Sequence, residues 1–451
     1  MRPPAQETMP SNRLFALYAL PAVPLAAIAL PFYIVVPTFY AGNFGISLAA
    51  IGATLLAIRL VDAVTDPLFG WLSDRFAHRH GRRRVFFALS LPLTSLSAFM
   101  LFWPPQDAGL AYLGLWGTAL SIGATWTLLP YTAWGAELAT GYQARVRLSA
   151  FREGATLIGS LLAISLPFIG GLGTVKGFHG LAWIAVFIAI ALPLAGLATV
   201  ITVPEPQDVS RRRLSLRESL AHLTGNRPFL RLAGAFLLNS FANAVPASLF
   251  IYFVGQRLGT PALQGPLLFS YFLSAIAGIP LAGIPLAVWC AARLGKHRAW
   301  CLAMLVACLI FSAAGFLGQG DVILFAIVCV TTGLLLGFDL TLPPAIQADV
   351  IDNDTVRSGE QRSGLYFAAW SFITKLAVAL SAGVVFPLLD LAGFVGEQNA
   401  TQTESALTAL GGLYAWLPIL PKLAAIAIMW RFSLDESEHR RLRDALDRPS
   451  S

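Results

Sequence analysis

Between Leu181 and Val203 the chain runs for twenty-three residues without a charged side chain. At about 1.5 Å per residue a helix of that length reaches about 35 Å, enough to cross a bilayer core of roughly 30 Å. The pattern recurs. Apolar runs bounded by polar or Gly/Pro clusters lie near 13–39, 44–72, 85–103, 108–139, 151–171, 180–203, 231–256, 264–293, 299–318, 321–350, 362–392 and 410–430. None shows the roughly ten-residue alternation of a membrane barrel strand, so helices are expected. Composition agrees: 56% of the residues are hydrophobic, 12% are charged, and the mean hydropathy is +0.68. A soluble domain carries about 25% charged residues. A water-soluble enzyme is excluded, and 30 Phe with 11 Trp exclude disorder. The chain reads as an all-α membrane protein with twelve transmembrane helices.

Basic residues set the topology. The loops after spans 2, 4, 6, 8 and 10 hold nineteen Lys and Arg; those on the other side hold only Lys176 and Arg257. Basic loops stay in the cytoplasm. Both termini are therefore expected there, in a multi-pass protein of a bacterial inner membrane. The net charge of +7 follows from this distribution, and the run Arg79–Arg84 reads as an inner-face anchor, not a nucleic-acid surface. No nucleic-acid partner is expected; the lipid bilayer and a small molecule are. The four cysteines (Cys290, Cys301, Cys308 and Cys329) lie in or beside apolar runs without CxxC spacing and read as core residues. The polar first twelve residues give no sign of a cleaved secretory signal.

The two halves of the chain resemble each other. The stretch GWLSDRFAHRHGRRRVFF follows span 2 and AVWCAARLGKHRAW follows span 8, placing Gly81 and Gly295 at matching positions. AELATGYQARVRLSAFREG and ADVIDNDTVRSGEQRSGLYF match at nearly the same offset through Arg145 and Arg357. A duplicated six-helix unit is expected, the build of major facilitator transporters. The halves are drawn at 1–203 and 231–432, joined by an amphipathic cytoplasmic linker over 204–230, with a cytoplasmic tail at 433–451. Such a protein is expected to act as a monomer.

Ionisable groups at membrane depth are functional by default, because each costs at least about 2.5–3.5 kcal/mol at a helix centre. Span 2 carries Arg59, Asp62 and Asp66 in RLVDAVTDPLFGWLSDR. The two carboxylates are four residues apart and share a helix face. Without a cation they cannot both stay ionised cheaply, so they bind Na⁺ or share a proton, unless Arg59 and Asp62 form a structural pair with Asp66 beside it. Span 10 adds Asp339, about 15 Å deeper than Asp349. It reads as a solute acceptor, a second proton site or a partner for Lys422. Asn239 and Asn243 on span 7 either line a cavity or bond between helices.

The segment RLVDAVTDPLFGWLSDR resembles the helix-2 signature of the glycoside–pentoside–hexuronide:cation symporters. LPYTAWGAELATGYQARVRLSAFREG resembles that family's helix 4–5 segment, and LPPAIQADVIDNDTVRSGEQRSGLYFAAWSFITKLAVAL its helix 10–11 segment. The resemblance implies a major facilitator fold of two pseudo-symmetric six-helix halves. It implies a cation site at Asp62 and Asp66, with Thr125 as a hydroxyl ligand; if the ion is Na⁺, the two carboxylates are its metal ligands. Arg152 matches a substrate-binding arginine, with inner-gate structure as the alternative. Lys375 matches a lysine neighbouring the cation-site acids, with an interior ion pair as the alternative. Trp126, Asp339 and Asn239 join Arg152 and Lys375 as candidate solute contacts. Two positions depart from the pattern: the family's helix-1 acid falls near Ala26 and its further helix-4 acid near Leu128. Fewer acids beside Arg152 and Lys375 suit an anionic solute such as a hexuronide.

Asp74, Arg75, Arg82 and Arg83 form the loop motif by which major facilitators hold one conformation. Glu137, Arg145, Asp349, Asp352 and Arg357 extend that expected gating network, which must break and re-form in each cycle. No P-loop, GxSxG or HExxH is present, and the six His fall in loops or tails. No enzyme activity and no cofactor is expected, only H⁺ or Na⁺ as coupling ion. The expected function is symport of a sugar, glycoside or sugar acid. An exporter of amphiphiles, a lysolipid carrier and a non-transporting sensor are the rivals.

Overall fold

The computed structural model describes residues 11–75, 82–138, 142–168, 180–204, 224–277, 284–358, 363–396 and 400–432. Among these residues there is no strand, and a helix occupies each of the twelve apolar runs. We number the α-helices α1 (Asn12–Ala19), α2 (Ala22–Leu30), α3 (Val36–Phe44), α4 (Leu48–Arg75), α5 (Arg82–Phe102), α6 (Leu110–Leu138), α7 (Tyr142–Ser165) and α8 (Gly180–Thr202). They continue as α9 (Arg227–Tyr252), α10 (Gln264–Ala277), α11 (Ile284–Leu294), α12 (Lys296–Ala314), α13 (Val322–Ser358), α14 (Ser363–Leu391), α15 (Glu404–Ala415) and α16 (Ile419–Met429). Eight described helical stretches are long and apolar enough to cross a membrane. The expected linker and tail fall largely outside the described residues.

Local chemistry sets the helix ends. The Ser11 hydroxyl accepts from the Leu14 N–H, the Asn226 carbonyl oxygen from Phe229 and the Thr403 hydroxyl from Ala406, each satisfying a donor of the first turn. Gly45 closes α3 in the left-handed region at φ 61°, where a side chain would be strained. The 37 residues of α13 reach about 56 Å, longer than a bilayer core, with Asp339 mid-helix.

The chain forms two compact units, residues 1–46 with 57–209, and residues 47–56 with 210–451. In the first, α5 packs along α6 and α8, and α2 along α7. The last contact is very close: a Cβ on Gly159 of α7 would lie 2.1 Å from the Val23 carbonyl oxygen. Because the obstacle is backbone, Gly159→Ala is expected to cost about 1–3 kcal/mol. Differential scanning fluorimetry of the purified protein checks this, with a fall in Tm of several degrees expected. Two tyrosines tie α1 to α6 reciprocally: the Tyr18 hydroxyl donates to the Tyr131 carbonyl at 2.6 Å and the Tyr131 hydroxyl to the Tyr18 carbonyl at 2.9 Å.

In the second unit α9 packs on α14 and α16, α10 on α13, and α12 on both α13 and α16. Residues 47–56 count here because Gly52 approaches α14, where an added Cβ would meet the Ala382 carbonyl oxygen at 2.7 Å. Arg257 follows α9 and donates to the carbonyls of Gly315, Leu317 and Leu407 at 3.1, 2.9 and 2.7 Å. It thus ties the end of α12 to the first turn of α15, which a loop position alone did not suggest. His297 lies in the first turn of α12, buried, not in a loop.

Candidate functional site

The acidic face of α4 meets the hydroxyl face of α6. Asp62 and Asp66 lie one turn apart on α4; Ser121 and Thr125 lie one turn apart on α6. The two pairs align. The Ser121 hydroxyl donates to Asp62 Oδ1 at 2.6 Å, and the Thr125 hydroxyl to Asp66 Oδ1 at 2.8 Å. Arg59, a turn before Asp62, donates from Nη1 to Asp62 Oδ2. Its guanidinium also stands 4.3 Å from the centroid of the Tyr33 ring, a cation–π contact. Asp62 is 1% exposed, and Asp66 is half-buried.

These contacts separate the roles of the two carboxylates. Asp62 has an arginine on one oxygen and a hydroxyl on the other, so its charge is compensated inside the protein. Asp66 holds its carboxylate charge beside the Thr125 hydroxyl, apart from the Arg59–Asp62 pair. The donors around that charge are carboxylate and hydroxyl oxygens, the set that suits a hard cation or a proton. Among the described residues no group of His, Cys, Asp and Glu gathers as a metal cluster. Ser121 and Tyr33 were not among the candidates; Ser121 stands four residues before Thr125, so its position was readable from helical spacing alone.

Trp126 follows Thr125 and stacks on Phe69 at 5.4 Å, with Phe86 tilted against it at 5.6 Å. Its indole Nε1 is buried with no hydrogen-bond partner among the described residues. Arg152 lies half-buried on α7, close enough to Tyr18 for its charge to act on the phenol. Lys375 is half-buried on α14. At the family's helix-4 acid position Leu128 is 46% exposed.

Asp339 lies in a different place, inside the second unit. Its Oδ1 accepts from Asn239 at 3.0 Å and from the Trp300 indole at 2.7 Å; its Oδ2 accepts from Asn243 at 2.8 Å. The Lys422 ammonium donates to the side-chain oxygens of both asparagines at 2.7 Å. Both asparagines therefore bond between helices α9, α13 and α16. Of the expected gating residues, Asp349 is paired with Lys296 at 2.7 Å, and Arg83 is buried on α5. The side chains of Asp74, Arg75, Arg82, Glu137, Arg145, Asp352 and Arg357 lie outside the described residues.

The described helices, eight of them long and apolar enough to cross a membrane, with a buried ion pair and a carboxylate–hydroxyl ladder, are those of a polytopic membrane protein. Its fold matches the crystal structure of the nucleoside transporter NupG with a TM-score of 0.67 at 12% identity, over 92% of this chain and 99% of that one. A family model described as MFS/sugar transport protein matches residues 17–436, and the chain belongs to that family, the major facilitator symporters of the glycoside–pentoside–hexuronide:cation group. It is similar to the isoprimeverose transporter of Lactiplantibacillus pentosus, 24% identical over 90% of this chain and 85% of that protein. It is also similar to the glucuronide carrier protein homolog of Escherichia coli (strain K12), 23% identical over 91% of this chain and 90% of that one.

Proposed function

We propose that the protein carries a sugar-like solute (a sugar, glycoside or sugar acid) together with H⁺ or Na⁺, and that Asp66 and Thr125 hold the coupling cation beside Asp62. The observation that carries this reading is the aligned ladder of α4 and α6, in which Thr125 sets its hydroxyl against the Asp66 carboxylate one turn from the Ser121–Asp62 pair. A mobile cation binds the oxygens that Asp66 and Thr125 set side by side. Cation and solute each favour the conformation that binds the other, which couples their movement by differential affinity between two states. The relatives, an isoprimeverose transporter and a glucuronide carrier protein homolog, support a sugar-like cargo.

Arg152, Trp126 and Lys375 are our solute contacts. Arg152 suits the carboxylate of a sugar acid, and the unpartnered Trp126 indole has a donor to offer a hydroxyl. Asp339 and Asn239 have their polar atoms turned to each other and to Lys422, and we place them outside the solute set. Lys296 and Asp349 join Asp74, Arg75, Arg82, Arg83, Glu137, Arg145, Asp352 and Arg357 as an inner-face gate. The two halves, 1–203 and 231–432, with the linker 204–230 between them, are the moving parts. The protein works as a monomer in a bacterial inner membrane with both termini cytoplasmic, and binds no nucleic acid.

Uptake into proteoliposomes tests this, with isoprimeverose and a methyl glucuronide offered under separate proton and sodium gradients. Accumulation driven by one of the two gradients is expected. Accumulation under neither, with export of an amphiphile instead, would overturn the reading. Thr125→Val keeps the shape of the side chain and removes the hydroxyl. A hydrogen bond to a charged group is worth about 1.5–3 kcal/mol, so the half-saturating cation concentration should rise about tenfold or more. Titration of uptake against the driving cation measures it.

A further inference from the structure

The Asp339 centre is assembled from four helices of the second unit: Asn239 and Asn243 from α9, Trp300 from α12, Asp339 from α13 and Lys422 from α16. Asn239 is 1% exposed, Lys422 2% and Trp300 0%. The donor and acceptor inventory leaves one arrangement. An ammonium only donates and a carboxylate only accepts. Each asparagine must therefore turn its oxygen to Lys422 and its NH₂ to Asp339, as both do. The three groups that bond Asp339 are neutral N–H donors, and the positive charge facing it across the two amides is that of Lys422. A cavity of about 20 Å³, room for about one water, borders Asp339, Asn243, Tyr271, Thr332 and Lys422.

We propose that this centre is a monovalent-cation site whose occupant is tethered to the chain: the Lys422 ammonium, held by two amide oxygens and facing a carboxylate, stands where a free alkylammonium or alkali ion would bind. Two amide oxygens, with the Asp339 carboxylate behind the amides, suit such an ion, and the adjoining space lets a small one enter once the side chain is shortened. The tether makes this centre electrically complete without a coupling ion. The proposal stands apart from the role given to Asp66, and its readout is stability, so either can fail alone.

Chemical complementation tests it. Lys422→Ala removes three methylenes and the ammonium, the heavy atoms of n-propylammonium. The purified full-length variant is titrated with n-propylammonium, and with n-propanol as the uncharged molecule of similar shape, in differential scanning fluorimetry. The amine is expected to raise Tm by about 3 °C or more, with n-propanol well below it, and to do nothing comparable to the wild type or to the Asp339→Asn, Lys422→Ala double variant. Equal stabilisation by n-propanol would show that the space is merely apolar volume. Equal stabilisation of the double variant, or none in a folded single variant, would also overturn the site. If Lys422→Ala does not fold, the pair Lys422→Met and Asp339→Asn, Lys422→Met decides. Recovery of monodisperse protein in the double variant alone is expected, and failure of both alike would contradict the proposal.

Discussion

Asp66→Asn is expected to abolish solute accumulation, lowering gradient-driven initial uptake by about 100-fold, while solute exchange across a membrane without a gradient stays within about threefold of wild type. The asymmetry follows from what the substitution keeps. Asparagine has the size of aspartate and still accepts from the Thr125 hydroxyl, now 2.8 Å from Asp66 Oδ1, so the α4–α6 contact persists. What it loses is the charge. The substitution takes away the anionic oxygen that the proposed cation needs and leaves the Arg59–Asp62 pair in place. Coupling fails, and the solute pathway need not. Loss of exchange and accumulation together would place Asp66 in the solute site or in folding instead.

Arg59→Met should have the largest effect on the fold. It leaves Asp62, 1% exposed, with the Ser121 hydroxyl but no cation on its other oxygen. Removing one partner of a buried pair costs about 3–5 kcal/mol, a large share of the roughly 5–15 kcal/mol that holds a protein folded. The Tyr33 contact is lost as well, about 0.5–2 kcal/mol more. The expected result is a sharp drop in monodisperse protein on size-exclusion chromatography. Adding Asp62→Asn removes the stranded charge and should restore most of the yield. If Arg59→Met alone behaves as wild type, Asp62 has another compensating group and the division of roles between the two carboxylates is wrong.

Most of the helices were legible because lipid imposes one rule on all of them: long uncharged runs must be helical. The acids of α4 were legible for the same reason, since an ionisable group there stands out against its surroundings. Their hydroxyl partners were half legible: Thr125 through resemblance, Ser121 only by counting back one turn. The Asp339 centre was not legible as a unit. Asn239 and Lys422 are separated by 183 positions, and Trp300 carries no charge to mark it. Such a centre exists only when four helices meet, and periodicity within one helix says nothing of which polar atom it will face. The bonding of Arg257 was not legible either, because an arginine donating to three carbonyls looks the same in sequence as one lying in water.

If Asp66 holds the coupling cation, solute entry carries positive charge through its position. Solute-evoked current across a solid-supported membrane loaded with the protein reports this directly. For the wild type and an uncharged sugar, a transient inward positive current is expected, its size set by the driving cation; Asp66→Asn should give none above the binding artefact. Full solute accumulation with no charge movement in the wild type, or an undiminished current in Asp66→Asn, would contradict it.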